Sequence, residues 1–329
     1  MRFAMRIAFV FERFLKIVFH SMNSVFAGRA LARRGMARQF QGDMRRPARE
    51  AGCRFAGDKA MSGFPFAATT PVSIGRVGLK ARDAQKLAAF YSDILGLQEM
   101  DGDNGAIALG VGGHTLLEIA EDRSAEPDDP REAGLFHTAF LLPERADLAR
   151  WSLFARDRNM RLEGASDHLV SEALYLSDPE GNGIEIYADR APESWTKNED
   201  GIAMATERLD FGSLLSTVPD GDAGWQGAPE NTVIGHVHLR VGDPVTAETW
   251  WHEAQGFDTM TRYGSQAVFL ATGGYHHHIG ANSWRSAGAG KRNPKRTGLS
   301  WLELKSRNAT AEKEFADPWG TVIRVSPTG

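Results

Sequence analysis

The chain repeats itself, and this narrows its fold more than any other feature. Ile74-Gly-Arg-Val-Gly-Leu-Lys-Ala-Arg-Asp83 and Ile234-Gly-His-Val-His-Leu-Arg-Val-Gly-Asp243 share one pattern: a short alternating strand that ends at an Asp. A helical stretch with aromatics follows each, Leu87 to Tyr91 in one and Trp250-Trp251 in the other. Each helix stops at a glycine, Gly96-Leu97 and Gly256-Phe257, as a left-handed C-terminal residue requires. Two strands separated by paired glycines come next. Residues 106–109 and 115–119 flank Gly112-Gly113, and residues 267–271 and 276–281 flank Gly273-Gly274.

A related unit lies between them. Leu135 to Leu142 reads as a strand, Arg145 to Asn159 as a helix, and Ala173–Leu176 with Ile184–Tyr187 as a hairpin around Asp178-Pro-Glu-Gly-Asn182. A fourth unit starts at Gly298-Leu-Ser-Trp-Leu-Glu-Leu and closes with Asp317-Pro-Trp-Gly320 and Val322-Ile-Arg-Val. Only about ten residues, 306–315, separate its two parts, too few for a helix and a strand. The expected fold class is therefore α+β: four βαβββ modules, the last truncated. Residues 71–190 (modules 1 and 2) are expected as one domain. Residues 191–231, rich in Pro, Gly and Asp, would be a linker, and 232–329 (modules 3 and 4) a second domain.

Composition sets limits. The 329 residues carry a net charge of -4, which gives no reason to expect nucleic acid or an anionic membrane as partner. Cys53 is the sole cysteine, so no internal disulfide or cysteine-ligated zinc can form, which suits a cytoplasmic location. Residues 1–60 hold 11 Arg and 2 Lys against 4 acids. Residues 1–70 are expected to be a basic tail without chemistry: a disordered arm, a surface helix, or translation from an over-extended start with Met61 the true first residue. Gly288-Ala-Gly-Lys-Arg lacks phosphate-loop spacing, and no Gly-x-Ser-x-Gly element supplies a nucleophile.

Two longer segments carry a resemblance. Gly164-Ala-Ser-Asp-His168 through Tyr175, Asp178-Pro-Glu-Gly-Asn182 and Ile184-Glu-Ile-Tyr187 to Arg190 is one. Gly273-Gly-Tyr-His-His-His278-Ile-Gly-Ala-Asn-Ser-Trp284 is the other. Over residues 72–326 the chain resembles the vicinal-oxygen-chelate superfamily of glyoxalase I, bleomycin-resistance proteins and extradiol dioxygenases. It is similar in particular to the bacterial catechol 2,3-dioxygenase branch. The resemblance implies paired modules curling into open cups of mixed sheet that hold a divalent metal. Ligands would come from the first and last strands of modules. First-strand positions are Arg76, His137, His236 and Trp301. Last-strand positions are Glu118, Glu185, a residue near His278, and Arg324.

Two imidazoles and one carboxylate suit an oxygenase Fe(II), with Mn(II) as the alternative, because they leave coordination positions open. His137, Glu185 and His236 form that set, and alternation turns Glu185 away from Ile184 and Ile186. His238 rivals His236 from the same strand face. A competing set, Glu118, His137 and Glu185, puts Arg76 in a ligand position that no arginine can fill. Read as an alternating strand, His276 and His278 share a face and His277 takes the other. One of that pair, or His238, is expected as the acid/base, with Tyr187 beside it. His168 and Tyr275 are expected at the substrate, and Trp151, Trp250 and Trp251 in the core. The expected function is extradiol cleavage of a small aromatic diol by O2, by a chain free to self-associate. The alternatives are a glyoxalase-like lyase or isomerase and a metal-free small-molecule binder.

Overall fold

The computed structural model describes residues 63–102, 105–199 and 201–328. The readings of the basic tail up to residue 60, with Cys53 and Met61, lie outside the described residues.

Module 1 runs β1 (Val72–Ala81), α1 (Ala84–Leu95), β2 (Gln98–Met100), β3 (Ile107–Val111) and β4 (His114–Glu121). Module 2 runs β5 (Gly134–Leu142), α2 (Arg145–Asp157), β6 (Gly164–Asp167), β7 (Ser171–Ser177) and β8 (Gly183–Asp189). A small hairpin, β9 (Lys197–Asn198) and β10 (Gly201–Ile202), and a short helix, α3 (Phe211–Leu215), follow. Module 3 is β11 (Val233–Arg240), α4 (Pro244–Gln255), β12 (Asp258–Tyr263), β13 (Ala267–Ala271) and β14 (Ile279–Asn282). The fourth unit has no helix: β15 (Gly298–Ser306), β16 (Lys313–Ala316) and β17 (Val322–Pro327).

The repeated residues make the repeated structure. Asp83 caps α1 by accepting from the Lys86 amide, and Asp243 caps α4 by accepting from the Val245 and Thr246 amides. Gly96 (φ 72°) and Gly256 (φ 65°) end the same helices in the left-handed region, where a Cβ is costly. The glycine after each strand's first isoleucine makes room for a polar side chain. A Cβ on Gly235 would lie 1.8 Å from the Tyr187 hydroxyl, and one on Gly75 would lie 2.6 Å from the Glu303 carboxylate.

The sheets do not group the modules in chain order. One sheet has the order β16-β17-β15-β1-β4-β3-β2, and the other β12-β13-β14-β11-β5-β8-β7-β6. Module 1 thus pairs with the fourth unit, and module 2 with module 3. Their first strands meet antiparallel at the middle of each sheet, β1 with β15 and β11 with β5. This corrects the expected division into residues 71–190 and 232–329, and modules 2 and 3 share one cup. The sheets are tied together through the helices. Trp151 of α2, fully buried, donates from Nε1 to the Ile94 carbonyl of α1 at 2.9 Å, and Tyr91 of α1 donates to Asp178 at 3.0 Å. Trp151 and Trp251 are core residues as expected, and Trp250 packs half-buried on that core.

Residues 63–70 also depart from the expected tail. Phe66–Thr69 form a single 3-10 turn, Ala67 and Thr70 are buried, and Phe66 packs on Trp195 and Tyr275. No helix among the described residues is long and apolar enough to cross a membrane. Trp151→Ala should cost about 3–5 kcal/mol of stability, because it empties a full indole volume and frees a buried carbonyl. Urea unfolding of purified protein measures this directly.

Candidate metal centre and its surroundings

Strand pairing brings three sequence-distant side chains to one point. On β8 the period of two turns Glu185, Tyr187 and Asp189 to one face. On β11 it does the same for His236 and His238. His137 on β5 stands directly opposite His238, while Ala139 on the same strand faces both His236 and Glu185. The small Ala139 side chain leaves the space between them open. His137 Nε2 lies 3.0 Å from Glu185 Oε2, His236 Nε2 lies 3.1 Å from the same oxygen, and the two nitrogens are 3.3 Å apart. All three residues are buried.

This donor set fits a divalent ion. Ligands bound at about 2.0–2.1 Å around one centre must sit about 3.0–3.4 Å from each other, close to the spacing seen. Two imidazole nitrogens that face each other across a carboxylate oxygen need a cation or protons between them. The rest of the His236 ring agrees: Nδ1 is buried without a hydrogen-bond partner among the described residues, so the ring's one proton can sit there and leave Nε2 bare. Burial drives the His236 pKa down to about 4, against the pull of Glu185. Burial opposes ionisation of Glu185, but the imidazoles of His236 and His137 outweigh it and hold the carboxyl well below its usual range. Neutral imidazoles beside a carboxylate are the form a metal takes.

The neighbours are aromatic and polar. Tyr175, directly across from Glu185 on β7, shares a 2.7 Å hydrogen bond with His168 Nε2, while His168 Nδ1 donates to the Ala205 carbonyl at 2.7 Å. His168 therefore reaches the centre through Tyr175, a residue the sequence reading did not single out. Tyr187 packs on His236 at 4.9 Å between ring centres and shares a 2.8 Å hydrogen bond with Tyr275. Burial pushes Tyr175, Tyr187 and Tyr275 up, helped by Glu185 for the first and Asp189 for the others, so all three stay protonated phenols. His238 stands 5.0 Å from His137, edge to face, amid Phe136, Phe269 and Trp284. Its Nε2 has no partner among the described residues, and burial with the nearby imidazoles keeps it neutral.

The three consecutive histidines are not a strand. They lie between the Gly273-Gly274 turn (φ 65° and 79°) and β14, which begins at Ile279. The alternation expected of them therefore fails. His277, expected on the far face, stacks on His236 with ring centres 4.1 Å apart. His276 bonds His277 and Asp189 instead of facing the ligand cluster. His278 faces Thr70 and the Ala67 carbonyl, at 3.1 and 3.0 Å from Nε2, and the acid/base role expected of it has no support in that placement.

The competing set does not assemble. Glu118 lies in the other sheet, where Arg76 bridges it to Glu303 at the place equivalent to the centre just described. Trp301 occupies its ligand position there as the platform for Arg324 at 4.2 Å.

Fold and site together define a protein of paired βαβββ modules with one buried cluster of two imidazoles and a carboxylate. Residues 73–186 match the family model of the glyoxalase/bleomycin resistance protein/dioxygenase superfamily. The chain is 37% identical to the catechol-2,3-dioxygenase of Bacillus subtilis (strain 168) over 70% of its own length and 80% of the relative's. It is 32% identical to biphenyl-2,3-diol 1,2-dioxygenase 3 of Rhodococcus globerulus, over 31% of this chain and 54% of that one. Glyoxalase I from Zea mays superposes with a TM-score of 0.48 at 10% identity, over 79% of this chain and 94% of that one. The chain belongs to the glyoxalase/bleomycin resistance protein/dioxygenase superfamily, and within it is a catechol-2,3-dioxygenase-like oxidoreductase.

The buried histidines set a pH dependence. Burial puts His278 at about 3 and His236 at about 4, both below the unfolded value of about 6.5. Below pH 6.5 the unfolded chain takes up protons that the folded chain refuses. Stability is therefore full above pH 6.5 and falls as pH drops toward 4, by about 1.4 kcal/mol per pH unit for each such histidine. Urea unfolding of metal-free protein between pH 7.5 and 4.5 should show this slope, and His278→Gln should flatten it.

Proposed function

We propose that this protein is an extradiol ring-cleaving dioxygenase that opens a catechol-type aromatic ring with O2. The metal, Fe(II) or alternatively Mn(II), would be held by His137, Glu185 and His236. The observation that carries the reading is the convergence of those three donor atoms within 3.3 Å of one another. A bound Fe(II) would supply the chemistry that brings a catechol and O2 into reaction.

The chain's own groups fit the remaining tasks. Phe136, Phe269 and Trp284 offer apolar walls for an aromatic ring on the His137 side of the cluster. The Tyr175 phenol, held by His168, stands directly across the hairpin from Glu185. His277 is the histidine best suited to move a catechol proton. Its ring lies against His236, beside the proposed metal, and burial with the surrounding imidazoles keeps it neutral. Tyr187 braces the His236 ring from its other neighbours. The substrate expected is a small aromatic diol, with ring substituents left open.

Elemental analysis of anaerobically purified protein, together with O2 uptake on catechol, tests the reading. About one equivalent of iron or manganese per chain and a yellow ring-opened product are expected. Glu185→Gln and His137→Ala should each lower metal affinity and turnover by more than about 100-fold, a larger loss than removal of an outer-shell partner causes. Turnover of substrate without O2 uptake would replace the proposal with a lyase or isomerase. Metal-free protein that still binds catechol after His137→Ala would replace it with a binding protein.

A further inference from the structure

We propose that Asp189 and His276 are positioning residues that fix the tautomer of His277, so that its Nε2 is a bare proton acceptor. The proposal deepens the dioxygenase reading and takes from it only the acid/base role of His277.

Donors and acceptors along one chain of bonds fix the assignment. His276 Nε2 lies 2.8 Å from Asp189 Oδ1, and His276 Nδ1 lies 2.7 Å from His277 Nδ1. A carboxylate only accepts, so His276 must carry its proton on Nε2. A His276 ring with a single N–H then has Nδ1 as an acceptor, whereas an imidazolium there would donate from Nδ1 and give the opposite pattern at His277. The 2.7 Å contact between the two Nδ1 atoms needs one hydrogen, and with His276 neutral only His277 can supply it. His277 is therefore protonated on Nδ1, and its one remaining nitrogen, Nε2, keeps its lone pair. The recorded hydrogen bond of the His277 ring is the one at Nδ1, which leaves Nε2 to face the centre.

The surroundings hold the pair in place. His276 is fully buried, its ring lies 4.0 Å from that of Tyr275 at 35°, and Trp195 closes it from the side at 5.2 Å. Asp189 stands on the same face of β8 as Glu185 and Tyr187, four residues beyond the proposed ligand. The strand that offers the carboxylate to the metal thus also anchors the histidine beside it. In free histidine the Nε2–H tautomer predominates, so an Nδ1–H form at position 277 would be a specific sign of this chain of bonds.

The test is nitrogen NMR of metal-free full-length protein labelled with 15N-histidine, with the His277 signals assigned by difference from His277→Gln. The expected pattern is N–H on Nδ1 and an unprotonated Nε2. Asp189→Asn turns the acceptor into an amide that can donate, and should shift His277 toward Nε2–H, while Asp189→Glu should restore the original pattern. On the metal-loaded enzyme, Asp189→Asn should lower kcat for catechol about 10- to 100-fold, with KM and metal content nearly unchanged. An Nε2–H pattern in the unaltered protein overturns the proposal. So does an Asp189→Asn variant that keeps both its kcat and its spectrum. If the spectrum is as expected but catechol is not cleaved, the dioxygenase reading fails and the tautomer assignment stands. If catechol is cleaved but the spectrum is wrong, this inference alone fails.

Discussion

Glu185 is a carboxylate 2% exposed to solvent, and its ion-pair partners among the described residues are imidazoles, with no lysine or arginine. A charge buried in this way is expensive unless something positive arrives to meet it. The surrounding architecture follows from that constraint. Burial keeps His236 and His238 neutral, and each nearby phenol stays protonated. The cup of modules 2 and 3 suits an ion that is brought in from outside.

The repeats were legible because local chemistry writes them. Capping aspartates, left-handed glycines and the tight Asp-Pro turn each leave a residue at a fixed place. In that turn Asp178 accepts from the amides of Glu180 and Asn182, and Asp317 does the same for Trp319 and Thr321. The faces of β8 and β11 were legible for the same reason, since a period of two sorts Glu185 from Ile184 and His236 from Val237. The choice of partner sheet was not. Alternation tells which way a side chain points but says nothing about which distant strand lies beside it, so only the resemblance's ligand set, His137, Glu185 and His236, joined modules 2 and 3 before the sheet order did.

Three other misses have separate causes. His276 to His278 were read as a strand because they precede one, but the Gly273-Gly274 turn delays β14 until Ile279. The resulting coil sends His277 to the centre and His278 toward Thr70. The Thr70 end of that contact belongs to a segment dismissed for its basic neighbours, although Phe64-Pro-Phe-Ala-Ala already departs from the arginine-rich composition before it. Tyr175 escaped notice because its value comes from facing Glu185 across the hairpin, a contact ten residues away in sequence.

The second sheet solves the same electrostatic problem differently. Where modules 2 and 3 set a histidine, β1 sets Arg76, whose guanidinium bridges Glu118 and Glu303. Its positive charge is covalently attached and cannot be stripped by a chelator or exchanged for another ion. On the proposed reading, one half of this duplicated chain carries its counterion in its own sequence, and the other borrows one from solution. Removing the borrowed ion would then unsettle a single cup and leave its neighbour as a self-neutralised scaffold.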